Sequence, residues 1–120
     1  MRATRVLVIE PSQAICSRLV GRLRDAGAEV VAEVSTLEPA LDAIESLAPD
    51  AVLLDPELPG RSPLDIVRSV RGRRQLLAIV VLTNATHYRR VALANGADQF
   101  FDKSSEFDAA IDAIMRSTGR

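Results

Sequence analysis

Tryptophan is absent, aromatic residues make up only 3% of the chain, and there is a single cysteine, Cys16. So few rings leave little material for base-stacking platforms and require a core built from Val, Leu, Ile and Ala. One cysteine excludes an intrachain disulfide and fits a reducing compartment. Cys16 stands among helix-forming residues and reads as a small packed side chain, not a nucleophile. No apolar run approaches the roughly 20 residues of a membrane span. Met1-Arg2-Ala3-Thr4-Arg5 leads straight into a strand-like segment, without the apolar region of a signal peptide. The expected location is cytoplasmic. Net charge is −1, so nothing global draws the chain to nucleic acid or to an anionic membrane. The glycines (Gly21, Gly27, Gly60, Gly72, Gly96 and Gly119) are scattered and form no phosphate-cradling loop, which argues against a nucleotide or flavin domain. No strand-end Gly-x-Ser-x-Gly of a hydrolase is present.

What is there has the balance of a folded domain. Apolar residues are 48% and charged residues 26% of 120, enough for one core. No composition shift, linker or repeat divides residues 1–120, so one domain is expected. Val6-Leu7-Val8-Ile9, Ala51-Val52-Leu53-Leu54 and Ile79-Val80-Val81-Leu82 are apolar runs without alternation, as in parallel strands buried on both faces. Glu29 to Val34 and Gln99 to Asp102 suit strands nearer the sheet edges.

Helical spacing fills the gaps. Ile15, Leu19 and Leu23 line a first helix, with Ser12 as N-cap and Gly27 to end it. Ser35 with Glu38 reads as a capping box for a second, Pro39 falls in its first turn, and Leu37, Leu41, Ile44 and Leu47 form its buried side. Leu64, Val67 and Val70 mark a third, starting near Ser62-Pro63. A fourth, less apolar, runs from Thr86 to Ala94 and ends at Asn95-Gly96. Phe107, Ala110, Ile111 and Ile114 mark the fifth, with Ser104 or Ser105 as cap. That helix is expected to end within a few residues of Arg120, with no output domain following. Five βα units joined by right-handed crossovers give an α/β fold: one parallel sheet with helices on both faces.

Ligands of such sheets bind beyond the carboxyl ends of the strands, where strand order reverses. The polar residues at those ends are Glu10, Asp55, Thr83 and Lys103. Two carboxylates, a hydroxyl and an ammonium on one crevice suit a phosphoryl group: a carboxylate attacks, a divalent cation neutralises charge, and the lysine and hydroxyl bind phosphoryl oxygens. Each residue alone has a plainer role, as turn former, packing group or solvated charge; the convergence of all four favours a site.

Three segments carry a resemblance along nearly the whole chain. They are Pro49 to Asp55 followed by Leu58-Pro59-Gly60, then Val81-Leu82-Thr83-Asn84, then Asn95 through Lys103. In order and spacing the chain resembles the receiver domains of bacterial two-component signalling, of the stand-alone type found in chemotaxis. The resemblance implies a flavodoxin-like sheet of strand order 2-1-3-4-5 with five helices, and a signalling module, not an enzyme. It implies that Asp55 accepts a phosphoryl group from a sensor histidine kinase, a phosphotransfer protein or a small phosphodonor. Lys103 then pairs with the phosphoryl group, Thr83 moves to hydrogen-bond it, and Phe100 is the aromatic switch that follows Thr83. Glu10 and Asp55 hold Mg²⁺ together with Glu57, through its backbone carbonyl or by its carboxylate reaching back. The signalling face implied is the fourth helix, fifth strand and fifth helix, around Tyr88, Arg89, Gln99 and Asp108, for a downstream protein the sequence does not name. An apolar patch between the last two helices would permit a homodimer.

Departures from the family pattern bear on this reading. The acidic pair that usually ends the first strand is Glu10-Pro11 here, so one carboxylate is missing and the Mg²⁺ site is expected to be weaker. Ser104 follows Lys103 where proline is usual, so a trans peptide is expected. Phe100 has no hydroxyl for a partner. A degenerate receiver, a protein-interaction module independent of phosphorylation, is the alternative that Pro11 motivates. His87 has no second His or Cys near it and reads as a surface residue; Arg68, Arg71, Arg73 and Arg74 read as a solvated basic face.

Overall fold

The computed structural model describes residues 2–118; Met1, Gly119 and Arg120, named above, lie outside the described residues. Strands β1 (Arg5–Ile9), β2 (Glu29–Val34), β3 (Ala51–Leu54), β4 (Ala78–Thr83) and β5 (Gln99–Asp102) alternate with helices α1 (Gln13–Asp25), α2 (Leu37–Leu47), α3 (Pro63–Arg73), α4 (Arg89–Ala94) and α5 (Phe107–Thr118). The five strands form one parallel sheet in the order β2-β1-β3-β4-β5. The three apolar runs are its centre, and every residue of β3 is buried. The edge strands β2 and β5 are only partly covered, which is why their sequences tolerate Glu29, Glu33, Gln99 and Asp102.

Side chains of a strand alternate between faces, and two cores result. Leu7, Ile9, Val52, Leu54, Ile79 and Val81 face α2, α3 and α4, while Val6, Val8, Leu53, Val80 and Leu82 face α1 and α5. Each fully buried aliphatic side chain among these contributes about 1.5–3 kcal/mol. On α3 the buried residues are Ile66, Val67 and Val70; Leu64, expected on that side, is only partly covered.

Caps tie helices to strand ends. Ser12 accepts from the Ile15 N–H at 3.3 Å, and Ser62 accepts from Asp65 N–H at 3.2 Å with Pro63 in the first turn. The Ser35–Glu38 capping box does not form. β2 runs through Val34, α2 starts at Leu37, and Thr36 is the N-cap without a side-chain cap bond. The third helical position is then Pro39, which cannot reciprocate. Neither Ser104 nor Ser105 caps α5, whose first residue follows Glu106. Asp102 draws Ser104 back into the preceding turn through its N–H (2.8 Å) and Oγ (2.7 Å).

Cys16 is buried on α1, and its thiol donates to the Glu33 carboxylate at 3.7 Å. Burial first, then the charge and hydrogen bond of Glu33, push the thiol up to about 11. In the folded protein at pH 7 it should react with a disulfide reagent roughly a hundredfold more slowly than free cysteine or slower. Denaturant should abolish the difference; equal rates folded and unfolded would contradict the placement.

Arg71 rivets the end of α3 to the α4–β5 turn. Its guanidinium donates to the Gly96 carbonyl (3.0 and 2.8 Å), the Arg74 and Gln75 carbonyls and Asp98 (2.8 Å). Gly96 has φ +128°, and a Cβ there would lie 2.7 Å from the Arg71 Cβ. Gly96→Ala should therefore destabilise the fold by about 1–3 kcal/mol from backbone strain alone, with more from the collision, as read in urea unfolding. An unchanged midpoint would contradict this packing.

Candidate functional site

Three of the four polar strand-end residues are held by bonds that continue the sheet ladder one step past their strands, and Thr83 is the last residue of β4. Glu10 N–H donates to Val34 (3.0 Å), Asp55 N–H to Ile9 (2.9 Å) and Lys103 N–H to Thr83 (3.0 Å). They converge at the carboxyl edge, where β1 is flanked by β2 and β3 and strand order reverses. All are nearly excluded from solvent: Glu10 is 2% exposed, Asp55 6%, Thr83 0%, and the Lys103 side chain 8%.

Lys103 organises this cluster. Its ammonium contacts the Asp55 Oδ2 and lies 3.0 Å from Glu10 Oε1, so one cation is shared by two buried carboxylates. Burial alone would lower the lysine pKa; hydrogen bonds to Asp55 and Glu10, with their charges, outweigh it and hold the group above its usual value. The other carboxylate oxygens are held by backbone. Glu57 N–H donates to Asp55 Oδ1 at 3.0 Å, and Ser12 N–H donates to Glu10 Oε2 at 3.0 Å. Pro11 lacks an N–H and makes the short link that lets Ser12 cap α1 and hold Glu10 at once.

Thr83 Oγ1 accepts from the Ala85 N–H at 3.2 Å. Phe100 is buried, and Tyr88 meets it edge-on with ring centroids 5.4 Å apart. Arg89 lies over the Phe100 ring, 5.0 Å from its centroid, and donates to the Phe100 carbonyl at 2.8 Å.

The structure corrects the expectations for the Glu57 carboxylate and for Asp108 and agrees with others. The Glu57 carboxylate is exposed and does not join Glu10 and Asp55: among the described residues no three acidic, His or Cys side chains converge as a metal group. Asp108 pairs with Arg22 of α1, so it lies on the α1 side of α5, away from Tyr88 and Arg89. The Tyr88 side chain is partly covered and its hydroxyl buried. The basic run is a solvated face as expected, with Arg68, Arg73 and Arg74 exposed; Arg68 donates to Asn95 (3.0 Å), Arg73 pairs with Glu45 (2.7 Å), and Arg71 is held on the α4–β5 turn. His87 is exposed, against the Tyr88 ring. Among the described residues no peptide bond is cis, and no helix is long and apolar enough to cross a membrane.

A family model, the response regulator receiver domain, matches residues 6–115. The two-component response regulator PhoP of Pseudomonas aeruginosa is 31% identical over 117 residues, covering 93% of this chain and 52% of that protein. The sensory transduction protein RegX3 of Mycobacterium tuberculosis is 34% identical over 121 residues, covering 97% and 52%. The chain thus spans about half the length of the curated relatives it matches. Among solved structures, the signal receiver domain of the response regulator NarL from Mycobacterium tuberculosis matches with a TM-score of 0.85 at 25% identity over 100% of both chains. The response regulator domain of Thermotoga maritima CheB, at 21% identity and a TM-score of 0.81 over 96% of this chain and 92% of that one, bears on the fold alone. Receiver domains are signalling modules that sensor histidine kinases or phosphotransfer proteins phosphorylate on an aspartate. With the sheet order, the residues at its carboxyl edge and the match over residues 6–115 in agreement, this chain belongs to the response regulator receiver family.

Proposed function

We propose that residues 1–120 act as one receiver domain in the cytoplasm, carrying a phosphoryl group on Asp55. The observation that carries the reading is the shared Lys103 ammonium between Asp55 and Glu10 at the strand-order reversal. The incoming group is a phosphohistidine of a sensor kinase or phosphotransfer protein, or a small phosphodonor. A carboxylate oxygen of Asp55 forms the new P–O bond, the bond from phosphorus to the donor's nitrogen or oxygen breaks, and the donor leaves with its electron pair. Lys103 is positioned to hold a phosphoryl oxygen, and Thr83 to hydrogen-bond another when it rotates off Ala85 N–H.

Mg²⁺ fits this donor set. Glu10 and Asp55 already converge on one cation, and Mg²⁺ is commonly held by one or two carboxylates plus waters and phosphate oxygens. The Glu57 backbone carbonyl is the further protein ligand in this reading; Pro11 offers no side-chain oxygen. When bound, the metal would neutralise charge on the transferring group. Glu10→Gln removes one of two carboxylates, worth about 4 kcal/mol at 4 Å and an effective dielectric of 20 for a unit charge pair. Phosphorylation of that variant by phosphoramidate at limiting Mg²⁺ should be slower by on the order of tenfold or more. A rate equal to wild type would show the metal site to be misassigned.

The signal leaves by the face of α4, β5 and α5. Arg89 supports this, since it touches both the Phe100 ring and, at 3.5 Å, Glu106 before α5. Val91 and Leu93 are exposed on α4 and form the apolar surface for a downstream protein or a second copy of the chain. No nucleic-acid or membrane partner is part of the proposal. The competing reading, an interaction module that never takes a phosphoryl group, is favoured by Pro11 alone.

A further inference from the structure

Tyr88 Oη is a buried side-chain polar atom without a hydrogen-bond partner of normal geometry among the described residues. Such a group is costly to leave unmade and asks for an explanation. The 3₁₀ turn Thr86–Tyr88 that precedes α4 folds the ring under β4, edge-on to Phe100, with the hydroxyl beside Thr83. Burial above all, together with the charges of Asp55 and Glu57, pushes the phenol up to about 12 against the lowering pull of the neighbouring Thr83 hydroxyl, so it remains a donor at physiological pH. Phe100 itself offers no hydroxyl at the switch position.

We propose that the Tyr88 hydroxyl is a positioning group for the phosphorylated state: it donates to Thr83 Oγ1 once Thr83 has turned its own O–H to a phosphoryl oxygen on Asp55. The inference rests on the reading of Asp55 as acceptor. A threonine hydroxyl has one donor and two acceptor sites. In the present structure its oxygen faces the Ala85 N–H. Donating its proton to an anionic phosphoryl oxygen polarises that oxygen and makes it a stronger acceptor for Tyr88. A partner gained only in the phosphorylated state biases the equilibrium entirely toward that state. Because the Tyr88 ring meets Phe100, and Arg89 lies over the Phe100 ring, its movement carries the change to the signalling face.

The chain has one tyrosine and no tryptophan, so its intrinsic fluorescence reports Tyr88 alone. Beryllofluoride with Mg²⁺ serves as a stable phosphoryl mimic, its affinity taken from thermal shifts of wild type, Tyr88→Phe, Thr83→Ala and the double variant. Wild type should bind it with a change in tyrosine fluorescence that Thr83→Ala abolishes. Tyr88→Phe should bind about fivefold to tenfold more weakly, the value of one hydrogen bond. The double variant should lose little beyond Thr83→Ala. Without the mimic, Tyr88→Phe should be as stable as wild type or more so, because only an orphan donor is removed; a merely structural tyrosine would give a less stable variant. Full affinity in Tyr88→Phe, or additive losses in the double variant, would overturn the inference while leaving Asp55 as acceptor. A wild type that neither binds the mimic nor takes a phosphoryl group would overturn both.

Discussion

Asp55→Asn protein should take up no phosphoryl group from phosphoramidate under conditions that load the wild type. The substitution keeps the shape of the side chain and an oxygen to accept the Glu57 N–H, so the loop after β3 is retained. It removes the anionic oxygen that Lys103 contacts, and a neutral amide is not a nucleophile toward phosphorus. No other carboxylate can substitute. Glu10 is buried with its oxygens engaged by Lys103 and the Ser12 N–H, and the Glu57 side chain is exposed. The expected result by intact-protein mass is loss of the adduct to background. An adduct of equal size on the variant would move the acceptor elsewhere in the chain.

Lys103→Met should be the most destabilising single change at the site. It leaves Glu10 and Asp55 as two buried like charges with no counter-charge, and stranding one side of a buried ion pair costs about 3–5 kcal/mol. Two consequences separate this from a packing defect. Millimolar Mg²⁺ should recover stability in the variant, because a cation returns to the same two oxygens. Adding Asp55→Asn in the same background should restore part of the loss. In the wild type the lysine pKa is raised on folding, so its contribution is fully present below about 10.5 and is lost as pH climbs through the folded value. Urea unfolding of both proteins across pH checks all of this; a variant as stable as wild type at pH 7 would contradict the shared-cation geometry.

Much of the fold and half of the site were legible because they follow from short-range rules. Apolar runs without alternation mark doubly buried strands, and β1, β3 and β4 lie where those runs do. The strand-end rule then picks out Glu10, Asp55, Thr83 and Lys103; the first two share the Lys103 ammonium, and Thr83 lies at the end of the neighbouring strand. What could not be read depends on phase and on partners far along the chain. The 3₁₀ turn before α4 advances 120° per residue instead of 100°, so it rotates Tyr88 inward where a plain helix pattern leaves it outside. Asp108 is claimed by Arg22, and three arginines of the basic run by Asn95, Gly96 and Glu45. The missed cap at Ser35 has a more local cause: β2 ends at Val34 as expected, but α2 starts one residue later than a Ser35 cap requires, with Thr36 as N-cap and Pro39 at the third helical position. Pro11 reads in sequence only as a missing carboxylate, yet in the structure it is also the link that lets Ser12 reach back to Glu10.

The most direct test is the intact mass of wild-type protein after incubation with acetyl phosphate or phosphoramidate, with and without Mg²⁺, followed by mapping of the modified peptide. One phosphoryl adduct, dependent on Mg²⁺ and carried on the peptide containing Asp55, is the predicted result. No adduct from either donor at millimolar Mg²⁺ would contradict the account and leave a receiver fold that works through constitutive protein contacts.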